Sequence, residues 1–217
     1  MIFDIHYMIE IAPRLLAASV VTVEATVGGI VVAIIVGLLL AIARLSPIRP
    51  LRLAAGAYVE FVRMTPFLVQ LFFLYFILPL YGVTFGPFET GIVALGLNYS
   101  AYIAEVYRAG IQGVPRGQWE AANALNLSPA RTWISIILPQ AIPPVIPALG
   151  NYLVVMFKDT PILSTIGIME LLGRALQEAN MTYRFFEPLT IVMLVFLALS
   201  YPSSIFVDTL ERWFKRK

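Results

Sequence analysis

Residues Leu15 to Ala43 read LLAASVVTVEATVGGIVVAIIVGLLLAIA, and Glu24 is the only charged side chain among them. A helix that crosses the hydrocarbon core of a bilayer needs roughly 20 mostly apolar residues. The run exceeds that length, and it also exceeds the apolar core of a secretory signal peptide, which spans about 7–15 residues. We therefore expect a membrane-spanning helix that remains in the protein as an anchor.

The rest of the chain has the same apolar character. Of its 217 residues, 59% are hydrophobic and only 13% are charged, and the mean hydropathy is +0.84. Soluble domains are about 45–50% apolar and about 25% charged. We therefore predict an all-α integral membrane protein, a single domain over residues 1–217, with five spans near 15–43, 56–81, 88–108, 132–157 and 188–208.

Basic residues predict the orientation, because cytoplasmic loops carry an excess of Lys and Arg. One side of the predicted bundle carries Arg44, Arg49, Arg52, Arg108, Arg116, Arg131, Arg212, Lys215, Arg216 and Lys217. The loops on the other side carry fewer basic residues and more acidic ones. We expect the first side to be cytoplasmic, so that the N-terminus lies outside and the C-terminus inside.

The composition argues against an enzyme. The chain has no Cys and one His, His6, which excludes disulfides and leaves too few ligands for a zinc site or a His-based triad. Gly91 and Gly96 have the spacing of a phosphate-binding loop, but Leu97 and Asn98 follow instead of Gly-Lys. We expect no catalytic or metal-binding residues, so energy for any pumping must come from another chain or an ion gradient.

The segment 112–138 is the longest one predicted on the cytoplasmic side, and its local signals predict helix, turn and helix. Trp119 to Leu125 favours a helix, and Asn126 stands where a left-handed residue would end it. Ser128 is a good N-cap and Pro129 a good first residue for the next helix. Such a folded loop suits docking in a groove of another protein; the alternative is an ordinary polar loop.

Several motifs in this order resemble those of permease subunits of ABC importers, in the polar-amino-acid branch. EAANALNLS (120–128) followed by ILPQA (137–141) is similar to the EAA signature of that family, although the family's usual Gly is Asn126 here. A second departure is Met64, which replaces the family's Gly after Arg63. Further similar segments are EFVRMTPFLVQ (60–70), NYSAYIAE (98–105), PALGN (147–151) and FKDT (157–160).

The resemblance implies the type I importer permease fold, also called MetI-like, in a bacterial inner membrane. It also implies that Glu120, Ala121, Ala122 and Asn126 belong to a coupling helix seated in an ATPase subunit. The implied partners are two ATPase copies, a second permease (identical or related) and an external solute-binding protein. This chain would bind no cofactor, since ATP and Mg belong to the ATPase. The solute would be an amino acid or a derivative, and the closest likeness is to the ectoine/hydroxyectoine branch.

Polar residues within the predicted spans are candidates for the solute path, because charges are costly inside a bilayer. Pro66 should kink the second span and free a carbonyl beside Thr65. Each candidate also has a structural alternative: Glu60 and Arg63 share a helix face and would neutralise each other, and Asn151 would bond between helices. The candidates are Glu60, Arg63, Thr65, Asn98, Ser100, Asn151, Lys158 and Asp159.

Two other functional classes remain open from the residues alone. A gradient-driven secondary carrier would need an ion site, for which Glu24 or Glu105 is available. A structural membrane subunit without transport is the other. The small residues Gly29, Ala33, Gly37 and Ala41 form a ridge that permits close helix contact, either within the chain or with a partner.

Overall fold

A computed structural model describes residues 3–215, and this part of the chain consists of helices joined by short turns, with no strand. The α-helices are α1 Ile5–Leu45, α2 Arg49–Met64, α3 Phe67–Phe72, α4 Pro87–Gln112, α5 Arg116–Ala124, α6 Pro129–Thr132, α7 Leu138–Asp159, α8 Leu171–Thr182 and α9 Phe186–Lys215. A π turn (Phe73–Ile77) and a 3-10 turn (Leu78–Tyr81) follow α3, a second π turn (Trp133–Ile137) precedes α7, and a second 3-10 turn (Thr160–Ile166) follows it.

The helices α1 and α4 pack in parallel along most of their lengths, and small residues set their separation. A Cβ added at Gly29 would lie 2.9 Å from Leu95 Cβ, and one at Gly37 would lie 2.8 Å from Ile103 Cγ2. Both distances are too short for any larger residue, and Ala33 between them is fully buried. The small-residue ridge therefore makes its contact within this chain.

The second predicted span is not one continuous helix, and whether its two halves form a single span over 56–81 stays a prediction. The chain bends by 110° between Arg49–Met64 and Phe67–Tyr81. Pro66 has no N–H and in a continuous helix its ring would clash with the Val62 carbonyl, while Thr65 before it adopts extended backbone angles (φ −112°, ψ 142°). The predicted kink at Pro66 is thus confirmed as a full break.

The number of membrane crossings stays a prediction. By length and composition, three described helices suffice to cross a membrane, namely Ile5–Leu45, Pro129–Ile166 and Phe186–Phe214, and the bent α2–α3 pair makes four if it is one span. The helix α4 runs beside α1 but is not among them. It is continuous, but polar residues such as Asn98 and Glu105 lower its hydropathy.

The charges separate to the two ends of the bundle. Since α1 and α4 are parallel, Arg44 and Arg108 lie at the same end, which we call the basic end and which also holds α5, α6 and the start of α2. The opposite, acidic end holds Asp4, Glu178 and Glu187. This segregation agrees with the pattern behind the orientation prediction, although Arg216 and Lys217 lie outside the described residues.

Candidate functional site

The loop between α4 and α7 folds into two short helices. The first, α5, begins at Arg116, three residues before the predicted start, and ends after Ala124. Asn126 has a left-handed backbone (φ 50°), as predicted. The N–H of Leu127 donates to the Ala122 carbonyl at 3.1 Å and the N–H of Asn126 to Asn123 at 3.0 Å. This pair of bonds is the Schellman helix end, so asparagine fills the role that glycine usually takes.

The loop is held against the bundle by its aromatic side chains. Ser128 caps α6 by accepting from the Arg131 N–H at 3.4 Å, as its place before Pro129 predicts. Trp119 and Trp133 meet edge to face with ring centroids 5.3 Å apart. Together they cover the buried residue Ile137, which fixes the loop on the ends of α4 and α7.

The loop presents a mixed surface away from the bundle. Glu120, Ala121 and Asn126 are exposed, and so are Leu125 (71%) and Ile134 (68%). Ala122 differs, because it is only 1% exposed and faces the bundle. The side chain of Ala122 is thus covered by this chain itself, and its part in docking stays a prediction.

A polar cluster fills the break in the second span. Gln70 Nε2 donates to the Val62 carbonyl at 2.9 Å and to the Thr65 hydroxyl at 2.8 Å, and its Oε1 accepts from Asn98 Nδ2 at 3.0 Å. The carbonyl that Pro66 frees thus has an internal partner. Thr65 and Asn98 lie together here, as the sequence suggested, whereas Gln70 was not among the predicted residues.

Tyrosines connect a cation on α2 to a carboxylate at the end of α7. The guanidinium carbon of Arg63 lies 5.7 Å from the ring centroid of Tyr102, and the rings of Tyr102 and Tyr152 are 5.8 Å apart. Tyr99 packs on Tyr152 at 6.2 Å, and its hydroxyl donates to Asp159 Oδ2 at 2.6 Å. We call these five residues the path cluster.

The three tyrosines are not among the residues predicted from the sequence. A usable signal was present, because Tyr99 and Tyr102 are three positions apart on the same helix as Asn98 and therefore lie near one another. No such signal links Tyr152 to them, because it stands on α7.

Other predicted path residues lie elsewhere. Ser100 is fully buried and bonds to the Leu97 carbonyl at 2.7 Å, beside the Tyr58 hydroxyl on α2. Asn151 lines a separate cavity of about 280 Å³ between α7 and the end of α9. Glu60 and Lys158 are exposed, and the ion pairs among residues 3–215 do not include one between Glu60 and Arg63.

An ion-pair network stands at the basic end of the bundle. Glu105 on α4 pairs with Arg44 of α1 and with Arg108, whose Nε lies 2.9 Å from Glu105 Oε2. Both partners of the first pair are about one-fifth exposed. Glu105 thus joins α1 to α4, which argues for a structural role rather than for a vacant ion site.

A buried carboxyl stands at the acidic end, in the segment between α7 and α9. Glu170 caps α8 by accepting from the Gly173 N–H at 2.7 Å and from the Thr22 hydroxyl of α1 at 3.4 Å. It is fully buried. Burial raises the pKa of Glu170 above its ordinary value, although the N–H groups of Leu172 and Gly173 act in the opposite direction.

Comparisons with known proteins match almost the whole chain. The family described as "Binding-protein-dependent transport system inner membrane component" matches residues 10–217. The probable amino-acid ABC transporter permease protein y4tG of Sinorhizobium fredii is 47% identical over 208 residues, which cover 96% of this chain and 90% of that protein. The putative glutamine transport system permease protein GlnP of Rickettsia conorii is 36% identical over 95% of this chain and 97% of its own length.

Solved structures share the fold. A crystal structure of an amino acid ABC transporter with histidines superposes with a TM-score of 0.92 at 37% identity, covering 98% of this chain and 99% of that one. An inward-facing structure of the MetNI methionine ABC transporter gives a TM-score of 0.71 at 23% identity, over 95% and 97% of the two chains. The second likeness concerns the fold alone.

Proposed function

Because this chain belongs to the family of binding-protein-dependent transport system inner membrane components, we propose that its path cluster conducts a zwitterionic amino acid or amino-acid derivative. The chain is a membrane-embedded permease subunit of an ABC importer, with the all-α, MetI-like fold that the sequence resemblance implied. It is therefore a transport protein rather than an enzyme, and the gradient-driven carrier is not favoured.

The observation that carries the proposal is that one group of tyrosines contacts both a cation, Arg63, and a carboxylate, Asp159. An amino acid carries a carboxylate and an ammonium group at once. Guanidinium groups match carboxylates with two parallel hydrogen bonds, and tyrosine faces and carboxylates both attract ammonium groups. The relatives named for amino acids and glutamine support the same solute class.

The ectoine/hydroxyectoine assignment stays a prediction from sequence. A compatible solute of that kind is also a zwitterion, so the path cluster suits it equally well. The relatives described above are named for amino acids and glutamine, which favours an ordinary amino acid.

The energy for transport comes from the partner ATPase in this proposal. The exposed face of the loop, with Glu120, Ala121, Asn126 and Leu125, docks on that subunit, two copies of which serve two permease chains. ATP and Mg stay on the ATPase. A solute-binding protein delivers the solute at the acidic end, so the N-terminus is outside and the basic end is cytoplasmic.

The test uses the complete transporter in proteoliposomes, with its binding protein and labelled amino acid. Removing one charge-assisted contact costs about 1.5–3 kcal/mol, so Arg63→Gln and Asp159→Asn should each lower ATP-driven uptake by about tenfold or more. Lys158→Gln changes an exposed charge beside Asp159 that lies outside the path cluster, and it should transport like the wild type. Near-normal uptake in both cluster variants would remove the cluster from the path.

A further inference from the structure

A long apolar groove opens on the side of the bundle, at its basic end. It has a volume of about 780 Å³, within the range of pockets that hold small ligands. Its walls come from α1 and α7 and its floor from α4. We call it the lateral groove, and its principal lining residues are Leu38, Ile42, Tyr107, Ile111, Leu138 and Ile142. No acidic or basic side chain lines it within the described part of the chain.

The lateral groove is separate from the path cluster. It has a wall made by α1, which contributes no residue to the path cluster. On α4, Tyr107 of the groove stands five positions after Tyr102 of the cluster, which is about 140° around the helix. A ligand in the groove therefore does not block the solute.

The length of the groove along α1 fits within one leaflet of a membrane. Along α1 it extends from Leu38 to Leu45, about 10 Å at the rise of an α-helix, and one leaflet contributes about 15 Å of hydrocarbon. Trp133 and Tyr107 line it near the basic end, and such aromatic residues favour the boundary between hydrocarbon and headgroups.

Cationic groups stand at the mouth of the groove. Ser46 and Pro47 line it at the turn between α1 and α2, and Arg52 Nη1 donates to the Ser46 carbonyl at 3.3 Å. A guanidinium has five N–H donors, so most of those of Arg52 remain available for a phosphate. Arg49, the first residue of α2, is exposed on the same turn.

We propose that the lateral groove binds one acyl chain of an anionic phospholipid, whose phosphate lies against Arg52 and Arg49. An uncharged slot at the depth of one leaflet suits an acyl chain, and the two cations above it suit an anionic headgroup. The occupant is thus a lipid of the surrounding membrane held at a defined site. The bound lipid fills a cleft that would otherwise separate α1 from α7.

The test counts lipids on the purified transporter by native mass spectrometry after adding phosphatidylglycerol or phosphatidylcholine. The wild type should retain phosphatidylglycerol in preference to phosphatidylcholine. Each arginine at an anionic lipid surface is worth about 1 kcal/mol, so Arg52→Gln should weaken retention of phosphatidylglycerol by about fivefold. Ile42→Trp, which fills the groove, should abolish retention of both lipids at this site.

Matched controls distinguish the site from general lipid contact. Leu39→Trp enlarges a neighbour that is 61% exposed, against 58% for Ile42, but does not line the groove. Arg212→Gln removes another exposed arginine whose Nε bonds only to a backbone carbonyl. Both should retain lipid like the wild type. Equal loss in the controls, or no loss in Ile42→Trp and Arg52→Gln, would overturn the proposal.

A second copy of the chain in the groove would also overturn it. The chain has no cysteine, so Ile42→Cys provides a single reactive site. Oxidative crosslinking of this variant into a dimer would show protein in the groove, whereas a monomeric product with intact lipid retention by the wild type supports the lipid.

Discussion

At the scale of single residues, Gln70 of α3 bonds back to the end of α2 across the break at Pro66. Its amide serves the Val62 carbonyl, the Thr65 hydroxyl and the Asn98 amide at once, at 2.8–3.0 Å. The Thr65 hydroxyl also donates to the Phe61 carbonyl at 2.9 Å, but the Asn98 amide and the carbonyl next to the break depend on Gln70 for their shortest bonds. One side chain therefore fixes the geometry of the bend and joins it to α4.

Replacing this side chain should destabilise the transporter. Gln70→Met keeps the volume but removes the bonds, and each unsatisfied buried group costs about 1–3 kcal/mol. The melting temperature of the purified complex, measured by tryptophan fluorescence, should fall by several degrees. Gln140→Met is the matched control, because exposed Gln140 bonds only to a helical carbonyl, that of Ile136. An unchanged melting temperature in Gln70→Met would contradict this role.

At the scale of elements, α5 and α6 form a rigid projection rather than a flexible loop. A Schellman end, an N-cap and the Trp119–Trp133 contact fix its shape. A projection of fixed shape can transmit a displacement of a docked subunit to the bundle without bending. Its exposed face is where a docked subunit would act on the bundle.

Reversing the charge of Glu120 tests this face. If the docked ATPase presents basic residues there, Glu120→Arg places like charges together, which costs several kcal/mol and should reduce ATPase co-purification and uptake by more than tenfold. The control is Glu10→Arg, an exposed acid at the opposite end of the bundle, which should leave ATPase co-purification unchanged. The docking role fails if the Glu120 variant keeps the ATPase bound and active.

The segment around Glu170 predicts a pH dependence of stability. Burial raises the pKa of Glu170, so the folded protein holds that proton more tightly than the unfolded chain does. The resulting stabilisation is complete below the ordinary pKa of a glutamate and is lost as the pH rises through the raised value. Glu170→Gln should therefore melt above the wild type at neutral pH, with the difference vanishing under acidic conditions.

Asp4 provides a control, because its pKa is shifted in the opposite direction and its effect on stability has the opposite pH dependence. The Tyr7 N–H is the main cause that lowers the pKa of Asp4, so its contribution is present above the ordinary pKa and is lost as the pH falls. Asp4→Asn should melt below the wild type at neutral pH. Melting curves from about pH 4 to about pH 8 distinguish the two cases, and a Glu170→Gln variant that is less stable at neutral pH would contradict the argument.

At the scale of the whole molecule, the bundle has a basic end and an acidic end. This division predicts the orientation of the chain in the membrane. Gln118 is exposed on α5 at the basic end, and Glu10 is exposed at the acidic end. Because the chain has no cysteine, single-cysteine variants report only the chosen site.

In intact cells, a membrane-impermeant thiol reagent should label Glu10→Cys and should label Gln118→Cys only after permeabilisation. The physical reason is the excess of Arg on cytoplasmic loops. The reverse pattern would place segment 112–138 outside, where no ATPase can reach it.

Local chemistry made much of this architecture predictable. The break at Pro66, the left-handed Asn126 and the Ser128 cap each depend on a residue's own backbone preferences, which sequence carries directly. The 110° bend, the inward face of Ala122 and the approach of Tyr152 to Tyr102 depend on how distant helices pack. No spacing along the chain encodes those contacts. For this reason the sequence predicts Arg63 and Asp159 of the path cluster but not its tyrosines.

The glycines between α1 and α4 limit how this protein can change shape. At Gly29 and Gly37 not even a methyl group fits between the two helices, so they cannot slide or rotate against each other without a clash. We therefore expect the α1–α4 pair to move as one body in any change of shape of the subunit.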